Sequence, residues 1–139
     1  MKGILYNPKI PVTKGTVYQL AYEMHRLGTL HYDFYKSNLP VEEFRLLLTC
    51  KEGELNAYEF VMKTLRHLQF PFVRSEFLAF LDGWIEHYNR QWRENKDKHE
   101  LLAIFDAGCE NSLRHIKHFV STGLDNCFPA YGGDVCTKR

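Results

Sequence analysis

No stretch of this chain approaches the roughly 18 consecutive apolar residues that a membrane-spanning helix needs. Met1 to Val12 carries Pro8 and Pro11 and lacks the apolar run of a secretory signal. The expectation is a cytoplasmic protein with no membrane partner. Cysteine is sparse: Cys50, Cys109, Cys127 and Cys136 are the whole set, and no two form a metal-type Cys-x-x-Cys pair. That usage fits a reducing setting, with a Cys127–Cys136 bridge as the alternative in an oxidising one. An excess of one charge is missing too. Eighteen Lys and Arg stand against 17 Asp and Glu, for a net charge of +1. Tight binding to a phosphate backbone therefore has no evident electrostatic source, and acidic mimicry of DNA is equally unsupported. The apolar–polar alternation of a half-buried strand is not sustained anywhere, and there is no internal repeat, low-complexity run or interdomain linker.

What the chain does have is enough length and apolar content for one packed core. At 139 residues with 45% hydrophobic and 25% charged side chains, residues 1–139 read as one globular domain. Aromatic residues are abundant, with two Trp, eight Tyr and ten Phe, and such side chains dominate the energetics of cores and interfaces.

Helical spacing recurs along most of the sequence. Residues 1–14 read as an extended lead-in, because Pro8 and Pro11 oppose helix. A first helix is expected from Thr16 to Lys36, with Val17, Leu20, Ala21, Met24, Leu27, Phe34 and Tyr35 on its core stripe. Gly28 and His31 fall on the same stripe. Pro40 opens a short helix carrying Val41, Phe44, Leu47 and Leu48, and Lys51-Glu52-Gly53 reads as a turn. The next helix, Glu54 to Gln69, ends at Phe70-Pro71-Phe72, and Ser75 is a candidate N-cap for a helix from Glu76 to Asn95. That helix spreads Phe77, Leu78, Phe80, Leu81, Trp84, Ile85, Tyr88 and Trp92 over nearly half its circumference. A last helix, Lys98 to Thr122, turns Leu101, Leu102, Phe105, Cys109, Leu113, Ile116, Phe119 and Val120 inward and stops at Gly123. Residues 123–139 show no helical or strand period and read as an irregular tail. The fold class expected is all-α, a compact bundle of four to five helices.

Catalytic and metal chemistry find little support. A di-iron bundle site needs Glu-x-x-His on two helices, and the chain has no such sequence. His-Glu-x-x-His is absent as well. His115 and His118 share one side of the last helix and are the candidate metal ligands, although His118 points away from the apolar face. His31 reads as a core or half-core histidine with a carboxylate partner. Cys109, mid-helix on the apolar face, reads as a small buried hydrophobe, and Cys50, placed near a helix C-terminus, faces a dipole that disfavours a thiolate. No glycine-rich phosphate loop is present, and no cofactor is implied.

The remaining signal is aromatic. On a helical wheel of about 100° per residue, Tyr18, Tyr22, His25 and Tyr32 gather on the side of the first helix opposite its core stripe. Tyrosine joins apolar area to a hydrogen-bonding tip, so such a cluster suits a protein interface, with burial of the helix between two layers as the equal alternative. Trp84, Tyr88 and Trp92 on the broad apolar arc extend the candidate partner-binding set. The reading that follows is an interaction module: an adaptor, subunit or inhibitor, of the kind a mobile genetic element could encode, occupying another protein's surface. Self-association is compatible with it. Two alternatives come from other classes: a metal-dependent helical enzyme using His31, His115 and His118 with carboxylates, and a nucleic-acid module gripping single strands through Arg90, Trp92, Arg93 and Lys96. In the second, Glu86, Glu94, Asp97 and Glu100 are interleaved with the basic residues.

Overall fold

The computed structural model describes residues 9–124, and within them the chain is all-helical. There are four helices: α1 (Lys14–Asn38), α2 (Arg45–Arg66), α3 (Arg74–Asn95) and α4 (Glu100–Thr122). The start of α1 is fixed by a reciprocal threonine cap. The Thr13 hydroxyl accepts from the Thr16 N–H at 3.1 Å, and the Thr16 hydroxyl accepts from the Thr13 N–H at 2.9 Å. Two donors that the first turn would leave open are thereby satisfied.

The short helix and the turn expected around residues 41–53 are instead a turn over 41–44 and one continuous α2. Lys51-Glu52-Gly53 lies inside that helix because Gly53 has a packing task. A Cβ on Gly53 would meet the carbonyl group of Phe105 and the Cys109 amide nitrogen in α4. Gly108 reciprocates: a Cβ there would meet the carbonyl group of Cys50 and the Glu54 amide nitrogen in α2. Two glycines that face each other's helices let the backbones approach closely, at distances that favour Cα–H···O contacts. Cys50 accordingly sits in the second turn of α2, not near the helix C-terminus expected from the sequence.

This crossing sets the architecture. Cys50 pairs with Gly108, Glu54 with Ser112 and Tyr58 with His115, so α2 and α4 run parallel as a central pair. α1 lies antiparallel on α2, since Tyr18 meets Arg66 and Tyr32 meets Glu52. α3 lies antiparallel on the other flank of α4, where Asn89 meets Glu110 and Asp82 meets Lys117. α1 touches α4 only lightly. The core runs through Val17, Val61, Leu65, Leu81, Leu113 and Phe119.

Val73, not Ser75, caps α3, and no side chain accepts from its first turn. Arg74 reaches instead to the end of α4, donating to the carbonyls of Val120 at 2.6 Å and Ser121 at 2.8 Å. Gly123 ends α4 as expected, with φ of 75° and its N–H donating to the Phe119 carbonyl. Its own carbonyl accepts from the Ile10 N–H at 2.6 Å.

Gly83 is different in kind. It lies within α3, exposed, and a methyl group added there would find no atom within 4 Å. Gly83→Ala is therefore expected to raise stability by about 1 kcal/mol, through helix propensity and a less free unfolded chain. A urea titration checks this, and an unchanged midpoint would count against an unencumbered Gly83.

Candidate interaction surface

The apolar stripe of α1 is longer than the partner surface available to it. Val17, Leu20 and Ala21 are buried in the core. Gly28 fits against the Leu55 side chain. Beyond it the stripe emerges at Phe34, 60% exposed, and Leu30 beside it is 56% exposed. His31 is exposed as well, so the core or half-core position expected for it is wrong. The reason is geometric: α1 still rests on α2 there, through Tyr32, whose hydroxyl donates to the Glu52 carboxylate at 2.5 Å. The side turned away from α2 is left open.

Because α2 and α4 are parallel, their N-termini share the end of the bundle where α1 finishes. Val41, Leu46, Leu101 and Leu102 are all exposed there, against the inward positions expected for Leu101 and Leu102. A shallow groove lined by His99, Glu100, Leu101 and Leu102 opens at the start of α4. Leu30 and Phe34, near the end of α1, are exposed toward the same end of the bundle. The sequence pattern groups Phe34, Leu101 and Leu102 with the core because helical periodicity shows which residues share a stripe, not where a neighbouring helix stops.

The tyrosine side of α1 is divided. Tyr18 packs against the core, accepts from Arg66 at 2.9 Å and carries that guanidinium over its ring. Tyr32 is held by Glu52, and the carboxylate beside it is the main reason its hydroxyl is pushed up to about 12. Both therefore flank the α1–α2 seam. His25 is half-buried, and Tyr22 is the exposed member of the four.

On α3 the aromatics form a ladder between helices. Trp84 stands edge-on to Phe60 at 5.1 Å, with His87 at 5.2 Å and Tyr88 at 6.1 Å. Phe60 also stacks on Phe80. Trp84 and Tyr88 are half-buried and bridge α3 to α2 and α4. Trp92, half-buried nearer the apolar end, carries the Lys96 ammonium 5.2 Å from its ring centroid. Arg90 and Arg93 both pair with Glu86. The basic groups of the nucleic-acid alternative thus have partners within the helix end.

Compared with protein-family models, curated proteins and solved structures, the chain matches none.

A polar seam runs along the contact between α2 and α4, and sequence reasoning missed it. The Tyr58 hydroxyl bonds the Nδ1 of His115 at 2.9 Å, Ser112 donates to the Glu54 carbonyl at 3.0 Å, and Lys51 pairs with the Glu54 carboxylate at 3.6 Å. Burial pushes the Glu54 carboxyl up to about 7, against the pull of Lys51, and burial lowers His115 to about 4. On the α3 side Glu110, 1% exposed, accepts from Asn89 and from Arg114. Cys109 is a free, fully buried thiol pushed up to about 12 by desolvation, so a thiolate nucleophile is not accessible at neutral pH. Among the described residues no three His, Cys, Asp or Glu side chains group to hold a metal. His115 faces Tyr58, and His118 is exposed. No described helix is long and apolar enough to cross a membrane. Cys127 and Cys136, the aromatic residues of the tail and most of the expected lead-in lie outside the described residues.

Proposed function

We propose that the protein is an interaction module whose working surface is the apolar end of the bundle, and that it acts by covering a surface of another protein. The observation that carries this reading is the gathering of Leu30, Phe34, Val41, Leu46, Leu101 and Leu102, all exposed, where α1 ends and α2 and α4 begin. Burying such side chains is worth on the order of 1.5–3 kcal/mol each when complete, enough to drive association from a small patch. Tyr22 and Trp92 extend the surface along α1 and α3, and Tyr32, held by Glu52, flanks it. An adaptor, a subunit and an inhibitor all use a surface in this way.

The test is the Leu30→Ser, Phe34→Ser double variant, compared with the parent chain after gentle purification from its own host. In native mass spectrometry the parent is expected to carry a discrete protein mass that the variant lacks, with far-UV circular dichroism unchanged. A variant that keeps the same bound mass removes the apolar end from consideration.

A further inference from the structure

We propose that the exposed stretch of α1 pairs with the same stretch of a second copy of this chain, the two helices antiparallel and centred between Thr29 and Leu30. The inference rests on the α1 part of the surface proposed above and names its occupant. It leaves Leu46, Leu101 and Leu102 to another protein. α1 is the edge helix of the bundle, packed on α2 and touching α4 only lightly. Tyr22, Arg26, Leu30, Asp33 and Phe34 are all exposed along its outer side. On a wheel of about 100° per residue that side has two flanks. Leu30 and Phe34 run along one, beside half-buried Leu27, while Tyr22, Arg26 and Asp33 run along the other, with Lys36 at its edge.

The pattern is complementary to itself. A two-fold axis lying in the interface of two antiparallel helices sets each flank against its own counterpart. On the apolar flank Leu30 then meets Leu30 of the second copy, and Phe34 comes level with its Leu27. On the charged flank Arg26 and Asp33 stand equally far from the centre, about 5 Å along the axis to either side. Each Arg26 therefore faces Asp33 of the other copy, and the pair is made twice. Arg26 already holds Glu23 at 2.9 Å, and its guanidinium has donors left for a second carboxylate. A parallel pairing would set Arg26 on Arg26 and Asp33 on Asp33, and like charges oppose it. Area agrees with a dimer. Tyr22 is 46% exposed, and with Leu30 and Phe34 it leaves on the order of 300 Å² per copy, at roughly 200 Å² a side chain. Arg26, Asp33 and Lys36 roughly double that, so two copies bury about 1,200 Å², the lower edge of the range for specific interfaces. A net charge of +1 adds little repulsion between copies. The expected dimer is a micromolar one.

The test is sedimentation equilibrium of the purified full chain between about 1 and 200 µM, with circular dichroism as the control for folding. The parent is expected to pass from the mass of one chain to that of two as concentration rises. Asp33→Lys, which sets a second cation against Arg26, should weaken the dimer at least about tenfold, and so should Leu30→Ser. Combining Arg26→Glu with Asp33→Lys should return the affinity to within about threefold of the parent. Leu101→Ser with Leu102→Ser should leave dimerisation unchanged. A parent that stays monomeric across the range overturns the pairing, even where another protein's mass bound in the host upholds the surface proposed above. A dimer that survives Asp33→Lys, or a charge swap that fails to restore it, overturns the pairing too. A parent that dimerises yet brings no other protein from the host supports the pairing and counts against a foreign partner.

Discussion

Gly108→Ala should lower stability by about 3 kcal/mol or more, and the thermal midpoint by on the order of 10 °C. The added methyl would stand against the backbone of α2 at Cys50, not against the end of a flexible side chain. No rotamer change relieves that overlap, so α2 and α4 must separate along their whole contact. Gly53→Ala repeats the conflict from the other helix, against Phe105. Because both substitutions force the same separation, their double variant should cost clearly less than the sum of the singles. Urea denaturation of the three proteins measures this. Full additivity would show that the two glycines act at independent sites, and a loss below about 1 kcal/mol for Gly108→Ala would show a looser crossing than described. Gly28→Ala meets only the tip of Leu55 and should be milder.

The second large effect concerns acid. Burial raises the Glu54 carboxyl from 4.5 to about 7. Its contribution to stability is therefore complete below pH 4.5 and is lost as pH climbs toward 7. Burial lowers His115 from 6.5 to about 4, so the folded state is weakened as pH drops from 6.5 toward 4. Each gap corresponds to at most about 3 kcal/mol, at 1.36 kcal/mol per unit. The two slopes have opposite signs over nearly the same window and largely cancel in the parent chain. Removing either exposes the other. Glu54→Gln should gain stability as pH rises from 4.5 to 6.5, whereas His115→Gln should lose it. Asp106, whose carboxyl burial also raises, adds a slope of Glu54's sign to all three proteins and drops out of the comparison. Denaturation midpoints at three pH values decide the matter; parallel curves for parent and Glu54→Gln would refute the linkage.

The sequence reading and the structure agree where the information is local. Helical periodicity, the Asn95–Asp97 break and the Gly123 stop depend on neighbours along the chain, and these elements stand at or near their expected bounds. Gly53 defeats sequence reasoning because Lys-Glu-Gly resembles a turn, and only the position of α4 shows that the missing Cβ admits another backbone. The same limit applies to the candidate surface. Phe34 and Leu102 look like core by spacing, and that assignment fails, while the wheel leaves Tyr18 and Tyr32 open between surface and burial. The chain pattern does not report which flank a neighbour occupies or where it ends. The polar seam is hidden for a related reason, since Lys51, Glu54 and His115 are ordinary helix residues until α2 and α4 are set side by side.

The contact between Ile10 and Gly123 has a topological consequence. The backbone enters and leaves the helical array at one point, so its path is close to a ring. A circular permutant with its old ends joined and new ones opened in the exposed stretch between Leu68 and Val73 keeps every helix pair intact. By the same geometry, the domain can be inserted into a loop of a host protein without prising that loop apart.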